Sequence, residues 1–142
     1  MRALLDVNVL IALLDPDHSL HARATEWFAS HARAGWASCP ISQNGCVRIM
    51  SNAGYPNALP VLAVMERLAE ASASGYHQFW PDDISVLEKE RFEGSRIHGP
   101  RQLTDIYLLA LAIRHGGRFV TFDHSVAVEA VTGAKSKDLV AL

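Results

Sequence analysis

Three aspartates stand where the chain can bring carboxylates together. Asp6 follows a short apolar run at the N-terminus, and Asp123 directly follows the apolar segment Arg118–Phe122. Asp105 lies in the first turn of a helix that is predicted to begin after Thr104. Clustered carboxylates repel one another, and a hard divalent cation such as Mg²⁺ or Mn²⁺ relieves that repulsion. Such a cation, bound with water and a substrate phosphate, supports phosphodiester cleavage.

Each aspartate also has a purely structural explanation. Asp6 can cap the helix that follows it, and Asp105 at a helix N-terminus is stabilised by the helix dipole. Asp123, before His124 and Ser125, can form an Asx turn. The joint placement of the three residues favours the functional interpretation over three separate structural ones.

The elements that carry these residues alternate between strands and helices. Strands are predicted at 3–5, 35–39, 76–80, 118–122 and 138–141. Helices are predicted at 7–14, 19–34, after Ser42, and at 59–73, 85–92, 105–115 and 125–130. This alternation favours a mostly parallel sheet covered by helices on both faces, with functional groups beyond the carboxyl ends of the strands.

Parallel strands put Asp6 and Asp123 at the same edge of the sheet. The helix that carries Asp105 is expected to begin at the opposite edge, unless the loop before it runs back over the carboxyl edge. The elements alone therefore leave the position of Asp105 open.

The composition is that of one globular domain. The chain has 142 residues, of which 49% are hydrophobic and 20% charged, so we expect a single domain over 1–142. The net charge of −2 means that nucleic-acid binding needs a local basic patch. The two cysteines, Cys39 and Cys46, predict buried thiols in a cytoplasmic protein. No segment has the pattern of a signal peptide or a membrane span.

Three segments in order resemble the signature segments of PIN-domain ribonucleases, and more narrowly the toxins of VapBC-type toxin–antitoxin pairs. They are Asp6–Leu13, Thr104–Ala112 and Arg118–Asp123. The resemblance implies a three-layer α/β/α sandwich with a mainly parallel sheet. It also implies endonucleolytic cleavage of RNA that depends on Mg²⁺ or Mn²⁺, with Asp6, Asp105 and Asp123 as catalytic residues and metal ligands.

Three further positions take roles from the resemblance. Asn8 matches a small polar residue that hydrogen-bonds to the first aspartate, and Thr121 matches a polar position beside the last one. Gln43 stands where the family usually has a catalytic glutamate. Because glutamine carries no charge, this predicts weaker metal binding and strongly reduced cleavage. A catalytically silent module that binds antitoxin, metal or RNA without turnover is the alternative, and the origin of Gln43, natural or engineered, stays open.

The resemblance also implies partners. Single-stranded or loop RNA is the expected substrate, and Arg48, Arg96 and Arg101 are candidates for binding it, although surface arginines are often simply solvated. A homodimer is expected, together with a cognate antitoxin that occupies a groove near Leu10–Leu14, Trp27 and Met50 and directs a basic residue into the acidic pocket.

Two other classes with acidic residues at strand ends fit less well. A phosphatase of the haloacid-dehalogenase type needs an aspartate two residues after Asp6, where Asn8 stands. A response-regulator receiver domain needs an adjacent acidic pair after the first strand and a lysine after the last one. The seven histidines show no convincing zinc pattern.

Overall fold

The centre of the protein is a five-stranded sheet. The computed structural model describes all residues from Met1 to Leu142. The strands are β1 (Ala3–Leu5), β2 (Trp36–Ser38), β3 (His77–Phe79), β4 (Arg118–Thr121) and β5 (Leu139–Ala141). Their order is β3-β2-β1-β4-β5, and every pairing is parallel. The predicted parallel sheet is therefore confirmed.

Five α-helices accompany the sheet. They are α1 (Val7–Leu14), α2 (His21–His31), α3 (Pro40–Met50), α4 (Val61–Ser72) and α5 (Leu103–Arg114). Successive residues of a strand point to opposite faces, and β1 feeds two separate hydrophobic cores. Leu4 packs in the core that contains α5, whereas Leu5 packs in the core that contains residues of α1, α3 and α4. Helices thus cover both faces, as the predicted three-layer α/β/α sandwich requires.

Some predicted helices are wrong or differently bounded. Residues 85–92 form turns instead of a helix, and the segment ends in an isolated bridge between Phe92 and Val131. In place of a helix at 125–130 there is only a short 3-10 helix over Val128–Ala130. The helix predicted to begin after Thr104 already begins at Leu103, so Thr104 lies within its first turn.

Two sequence expectations concern the cysteines and the membrane. Cys39 and Cys46 are free and fully buried, as predicted. Burial raises the pKa of the Cys39 thiol to about 11 and that of Cys46 to about 12, so neither is a reactive thiolate. The longest helices, α4 and α5, have 12 residues each. None of the helices combines the length and the apolar character that a membrane crossing needs.

Candidate active site

Asp6 is held at the junction of β1 and α1. It is the N-cap of α1, and its Oδ1 accepts a hydrogen bond of 2.7 Å from the Val7 amide. Its Oδ2 accepts a bond of 2.6 Å from the Thr121 hydroxyl, at the end of the neighbouring strand β4. Only 6% of Asp6 is exposed. The pairing of β1 with β4 therefore fixes the orientation of this carboxylate.

Asp123 follows β4 and adopts the Asx turn that its sequence context suggests. Its Oδ1 accepts hydrogen bonds of 2.8 Å from the Ser125 amide and 2.6 Å from the Ser125 hydroxyl. Its own amide donates to the Thr121 Oγ1 at 3.1 Å. The Thr121 hydroxyl thus connects the first and last aspartates.

Asp105 lies at the same edge of the sheet as the other two aspartates, because all three line one cavity. The expectation that its helix begins at the opposite edge was wrong. A helix that joins parallel strands runs antiparallel to them, so its first turn lies at their carboxyl ends. The crossover geometry is thus sufficient to place Asp105, and no special course of the preceding loop is needed.

The acidic cavity, defined by Asp6, Asp105 and Asp123, has a volume of about 410 Å³. Asn8 and Arg48 also line it. Asn8 does not make the expected hydrogen bond to Asp6, whose partners are the Val7 amide and the Thr121 hydroxyl. Its Oδ1 is instead buried without a hydrogen-bond partner. A buried acceptor of this kind costs about 1–3 kcal/mol unless a ligand satisfies it.

The three carboxyl groups do not ionise alike. Burial, the charge of Asp6 and a hydrogen bond with Asp123 raise the pKa of Asp105 to about 7. Burial also raises the pKa of Asp6, against the opposing effect of its two hydrogen bonds. The two hydrogen bonds from Ser125 lower the pKa of Asp123. Partial protonation of Asp105 near neutral pH therefore offsets part of the repulsion in the cavity.

This donor set fits a hard divalent cation. Carboxylates are the ligands that Mg²⁺ and Mn²⁺ prefer, and the unpartnered Asn8 Oδ1 is a further oxygen donor. In the structure no group of three Asp, Glu, His or Cys side chains is placed to hold a metal ion by itself. An open set of carboxylates suits Mg²⁺, which keeps several of its waters.

Gln43 is not part of the acidic cavity. The α3 residues that line that cavity are Ile41, Gly45, Arg48 and Ile49. Gln43 lies about 200° around the helix axis from Gly45, so its side chain leaves α3 on another side. There its Nε2 donates a 3.0 Å hydrogen bond to the Ser38 hydroxyl. The structure therefore does not bring Gln43 into the cavity with the three aspartates, and its catalytic role and the impaired cleavage stay predictions.

Gln43 lines a separate and larger cavity, which we call the α3–α4 groove. The groove has a volume of about 820 Å³ and is lined by residues of α3, such as Gln43, Asn44 and Arg48, and of α4, such as Met65 and Ser72. Arg48 lines both the groove and the acidic cavity. The two spaces are therefore adjacent.

A close contact sets the position of α3 beside Asp6. A Cβ atom built on Gly45 would lie 2.7 Å from the Val7 Cγ2. Only glycine allows α3 to approach the first turn of α1 this closely. Gly45 thus brings Arg48, one turn further along α3, to the rim of the acidic cavity.

The arginines that were predicted to bind RNA differ in their placement. Arg48 lines the acidic cavity itself, and Arg101 lines a smaller neighbouring cavity of about 220 Å³ together with Asp105 and Asp123. Arg96 is exposed and lines neither space. The structure thus brings two of the three arginines to the aspartates.

Two hydroxyl residues near the site were not singled out as functional from the sequence. Thr104 lines the acidic cavity. Ser125 holds Asp123 through two hydrogen bonds, one donated by its amide and one by its hydroxyl. The spacing Asp123-x-Ser125 indicates the turn, but the same spacing occurs in many surface loops and does not point to a site by itself.

Comparison with known families agrees with this geometry. A model of the family described as PIN domain matches residues 3–130. Ribonuclease VapC44 of Mycobacterium tuberculosis is 51% identical over 142 residues, which is 100% of both chains. Ribonuclease VapC39 of the same organism is 44% identical over 135 residues, covering 94% of this chain and 96% of the relative.

A solved structure shares the fold. The crystal structure of Mycobacterium tuberculosis VapC20, described as a sarcin–ricin loop cleaving toxin, matches with a TM-score of 0.62. The match covers 94% of this chain and 98% of the other, at 14% sequence identity. At that identity the match supports the architecture of the sheet and helices and nothing finer.

Proposed function

Since the chain belongs to the PIN domain family, and within it to the VapC ribonucleases, we propose that it is an endoribonuclease and the toxin of a type II toxin–antitoxin pair. The observation that carries the proposal is the convergence of Asp6, Asp105 and Asp123 on one cavity at the carboxyl edge of the sheet. These residues come from three distant parts of the chain. Separate structural roles for the three would not bring them together.

We assign the cation site to Asp6, Asp105 and Asp123, with Asn8 beside them. A bound Mg²⁺ or Mn²⁺ would activate a water and neutralise charge on the scissile phosphate. Thr121 and the Val7 amide hold Asp6 in one orientation, and Ser125 holds Asp123. Fixed carboxylates lose little freedom when a ligand binds, which favours binding.

The protein can hold the substrate next to these carboxylates through arginine. Arg48 on α3 and Arg101 before α5 lie at cavities that contain Asp105 and Asp123. A guanidinium group binds phosphate through two parallel hydrogen bonds. The overall charge of −2 would otherwise oppose RNA binding, so we assign RNA contacts to these two residues first and to the outlying Arg96 last.

The proposed partners follow from the same assignment. We propose that residues 1–142 form a single cytoplasmic PIN domain that dimerises and is inhibited by a cognate antitoxin. Leu10, Leu13, Leu14 and Phe28 line an apolar cavity of about 250 Å³ that suits part of an antitoxin helix. Trp27 and Met50, which were expected in that groove, do not line it.

A cleavage assay tests the proposed activity. The purified chain is incubated with end-labelled single-stranded RNA in Mg²⁺, in Mn²⁺ and in EDTA, with the same DNA sequence as a second substrate. We expect cleavage of RNA only when a divalent cation is present. We expect Asp123→Asn to reduce the rate at least ~100-fold, because the cation that this carboxylate would hold contributes several kcal/mol of charge stabilisation.

The matched control is Asp17→Asn, which removes one exposed aspartate that lines a different cavity. Its rate should stay within about twofold of the wild-type rate. Cation binding without cleavage of any RNA would favour the silent binding module over the nuclease. Equal rates for the two variants would contradict the assignment of the acidic cavity.

A further inference from the structure

We infer that the α3–α4 groove binds an unpaired nucleotide next to the scissile phosphate, so that the enzyme selects RNA through its bases at this position. The inference rests on the proposed nuclease function and adds a specificity site to it. Four observations carry it: the shared Arg48, the mixed polar and apolar lining, the absence of acidic groups, and an unpartnered hydroxyl.

Arg48 connects the groove to the site of cleavage. It lines both the acidic cavity and the α3–α4 groove, and its side chain is exposed. A guanidinium group at this position can contact a backbone phosphate at the cavity. An RNA strand with one phosphate beside Asp6 would therefore have its adjacent nucleotide at the entrance of the groove.

The lining of the groove suits a base. Five of its ten lining residues are hydrophobic, among them Met65, which is 52% exposed. The thioether of a methionine makes favourable contacts with aromatic rings. The volume of about 820 Å³ lies within the range of roughly 300–1,000 Å³ that is typical of ligand sites.

Two amides in the groove can distinguish one base from another. The Gln43 Nε2 is occupied by the Ser38 hydroxyl, which orients the group and leaves its Oε1 as an acceptor. The exposed Asn44 offers both a donor and an acceptor. Side-chain amides of this kind read the hydrogen-bonding edges of unstacked bases in single-stranded RNA.

The charge and polarity of the groove favour RNA over an apolar protein segment. Arg48 is the only charged residue in the lining, which contains no Asp or Glu. An apolar helix in the groove would bury the amides of Gln43 and Asn44 without partners, at a cost in free energy. The Ser72 Oγ is already buried without a hydrogen-bond partner at this groove, and a polar ligand can supply one.

A charge placed in the groove tests the inference. Met65→Glu puts a carboxylate in the lining, and the matched control Leu62→Glu puts the same charge on α4 outside the groove, at a residue that is 65% exposed. Binding of fluorescein-labelled six-nucleotide homopolymers of A, U, C and G is measured by anisotropy. Both variants also carry Asp123→Asn, so that the RNA stays intact.

We expect Met65→Glu to weaken binding of the preferred homopolymer at least tenfold and Leu62→Glu to change it less than twofold. We also expect Asn44→Ala to reduce the preference among the four homopolymers at least threefold. Equal affinities for Met65→Glu and Leu62→Glu would overturn the inference while leaving the nuclease proposal intact. Failure of the chain to bind or cleave any RNA would overturn both.

The same variants test a protein occupant of the groove. Light scattering after gel filtration gives their molar masses. We expect Met65→Glu and Leu62→Glu to leave the wild-type mass unchanged. If Met65→Glu alone altered the mass, the groove would be an interface between copies of the chain and the nucleotide site would be rejected.

Discussion

The carboxyl ends of two neighbouring strands hold polar groups of opposite character. Asp6 follows β1 and Ser38 ends β2, and each precedes the first turn of a helix. Both residues are buried. The Ser38 Oγ has two hydrogen-bond partners, both of them neutral groups: the Gln43 Nε2 at 3.0 Å and the His77 Nε2 at 2.8 Å.

Asp6, by contrast, has an incomplete environment. Its two hydrogen bonds leave it beside Asp105 and Asp123, which are acidic themselves, and beside the unpartnered Asn8 Oδ1. Buried polar groups in proteins are normally satisfied, and a group that stays unsatisfied requires an explanation. The contrast teaches that the polar cluster at Ser38 is satisfied by its own side chains, whereas the cluster at Asp6 leaves the Asn8 Oδ1 without a partner.

Substitutions in the two clusters should differ most in their effect on the cleavage rate. Asp6→Asn removes a proposed cation ligand that contributes several kcal/mol, so we expect kcat to fall at least ~100-fold. Ser38→Ala removes two hydrogen bonds, each worth about 0.5–1.5 kcal/mol of stability. We expect this second variant to cleave at a rate within about twofold of wild type at 20 °C.

The rates are measured on the same labelled RNA, with circular dichroism to confirm that each variant is folded. A loss of activity in folded Ser38→Ala as large as that in Asp6→Asn would show that both clusters belong to the active site.

The rise in Tm on adding Mn²⁺ should be lost in a variant of the acidic cavity and kept in a variant of the Ser38 cluster. A cation at 100 times its Kd stabilises the folded state by about 2.7 kcal/mol, or roughly 5–10 °C in Tm for a chain of this size. We expect Mn²⁺ to raise Tm by this amount in wild type and in Gln43→Ala. In Asp123→Asn most of the shift should disappear. A full shift in Asp123→Asn would place the cation elsewhere.

Gln43→Glu sharpens the comparison, because it restores the residue that the family usually has at this position. Since Gln43 lies at Ser38 and not in the acidic cavity, we expect Mn²⁺ affinity and the cleavage rate at saturating RNA to stay within about twofold of wild type. The new carboxylate should instead raise the pKa of His77, because an opposite charge favours the protonated ring. Cleavage rates and an NMR titration of His77 measure the two effects.

An increase of tenfold or more in the cleavage rate of Gln43→Glu would return this position to the active site. An unchanged His77 titration would show that the introduced carboxylate had moved away from Ser38. The cleavage rate therefore tests the acidic cavity, and the His77 titration tests the cluster at Ser38.

The sequence predicted the acidic cavity better than it predicted the position of Gln43. Asp6 and Asp123 directly follow predicted strands, and strand order together with the parallel direction brings such residues to one edge. Gln43 lies within a helix, where one residue of displacement turns the side chain by about 100°. Placing it needs the phase of α3, which depends on the contact of Gly45 with Val7 and not on a local pattern.

The groups that complete each cluster come from distant segments. Thr121 is 115 residues from Asp6, and His77 is 39 residues from Ser38. Family resemblance identified Thr121 as a polar position but did not identify its partner. Nothing in the local sequence associates His77 with Ser38, because their contact depends on the pairing of β2 with β3.

The smallest expected effect concerns the protonation of His77. Burial, and secondarily the Arg2 guanidinium, hold the pKa of His77 below its ordinary value of 6.5. As the pH falls below 6.5, the unfolded chain therefore takes up a proton at this residue before the folded chain does. The free energy of unfolding should decrease over that range, because it becomes smaller as the pH is lowered wherever the unfolded state binds more protons than the folded state.

Urea unfolding at pH 7.5 and pH 5.5 measures this decrease, and His77→Gln should reduce it. The control is His98→Gln, at an exposed histidine, which should leave the wild-type decrease intact. If His77→Gln and His98→Gln behaved alike, His77 would not be held neutral by its surroundings. The cluster at Ser38 would then not be the closed neutral network that distinguishes it from the acidic cavity.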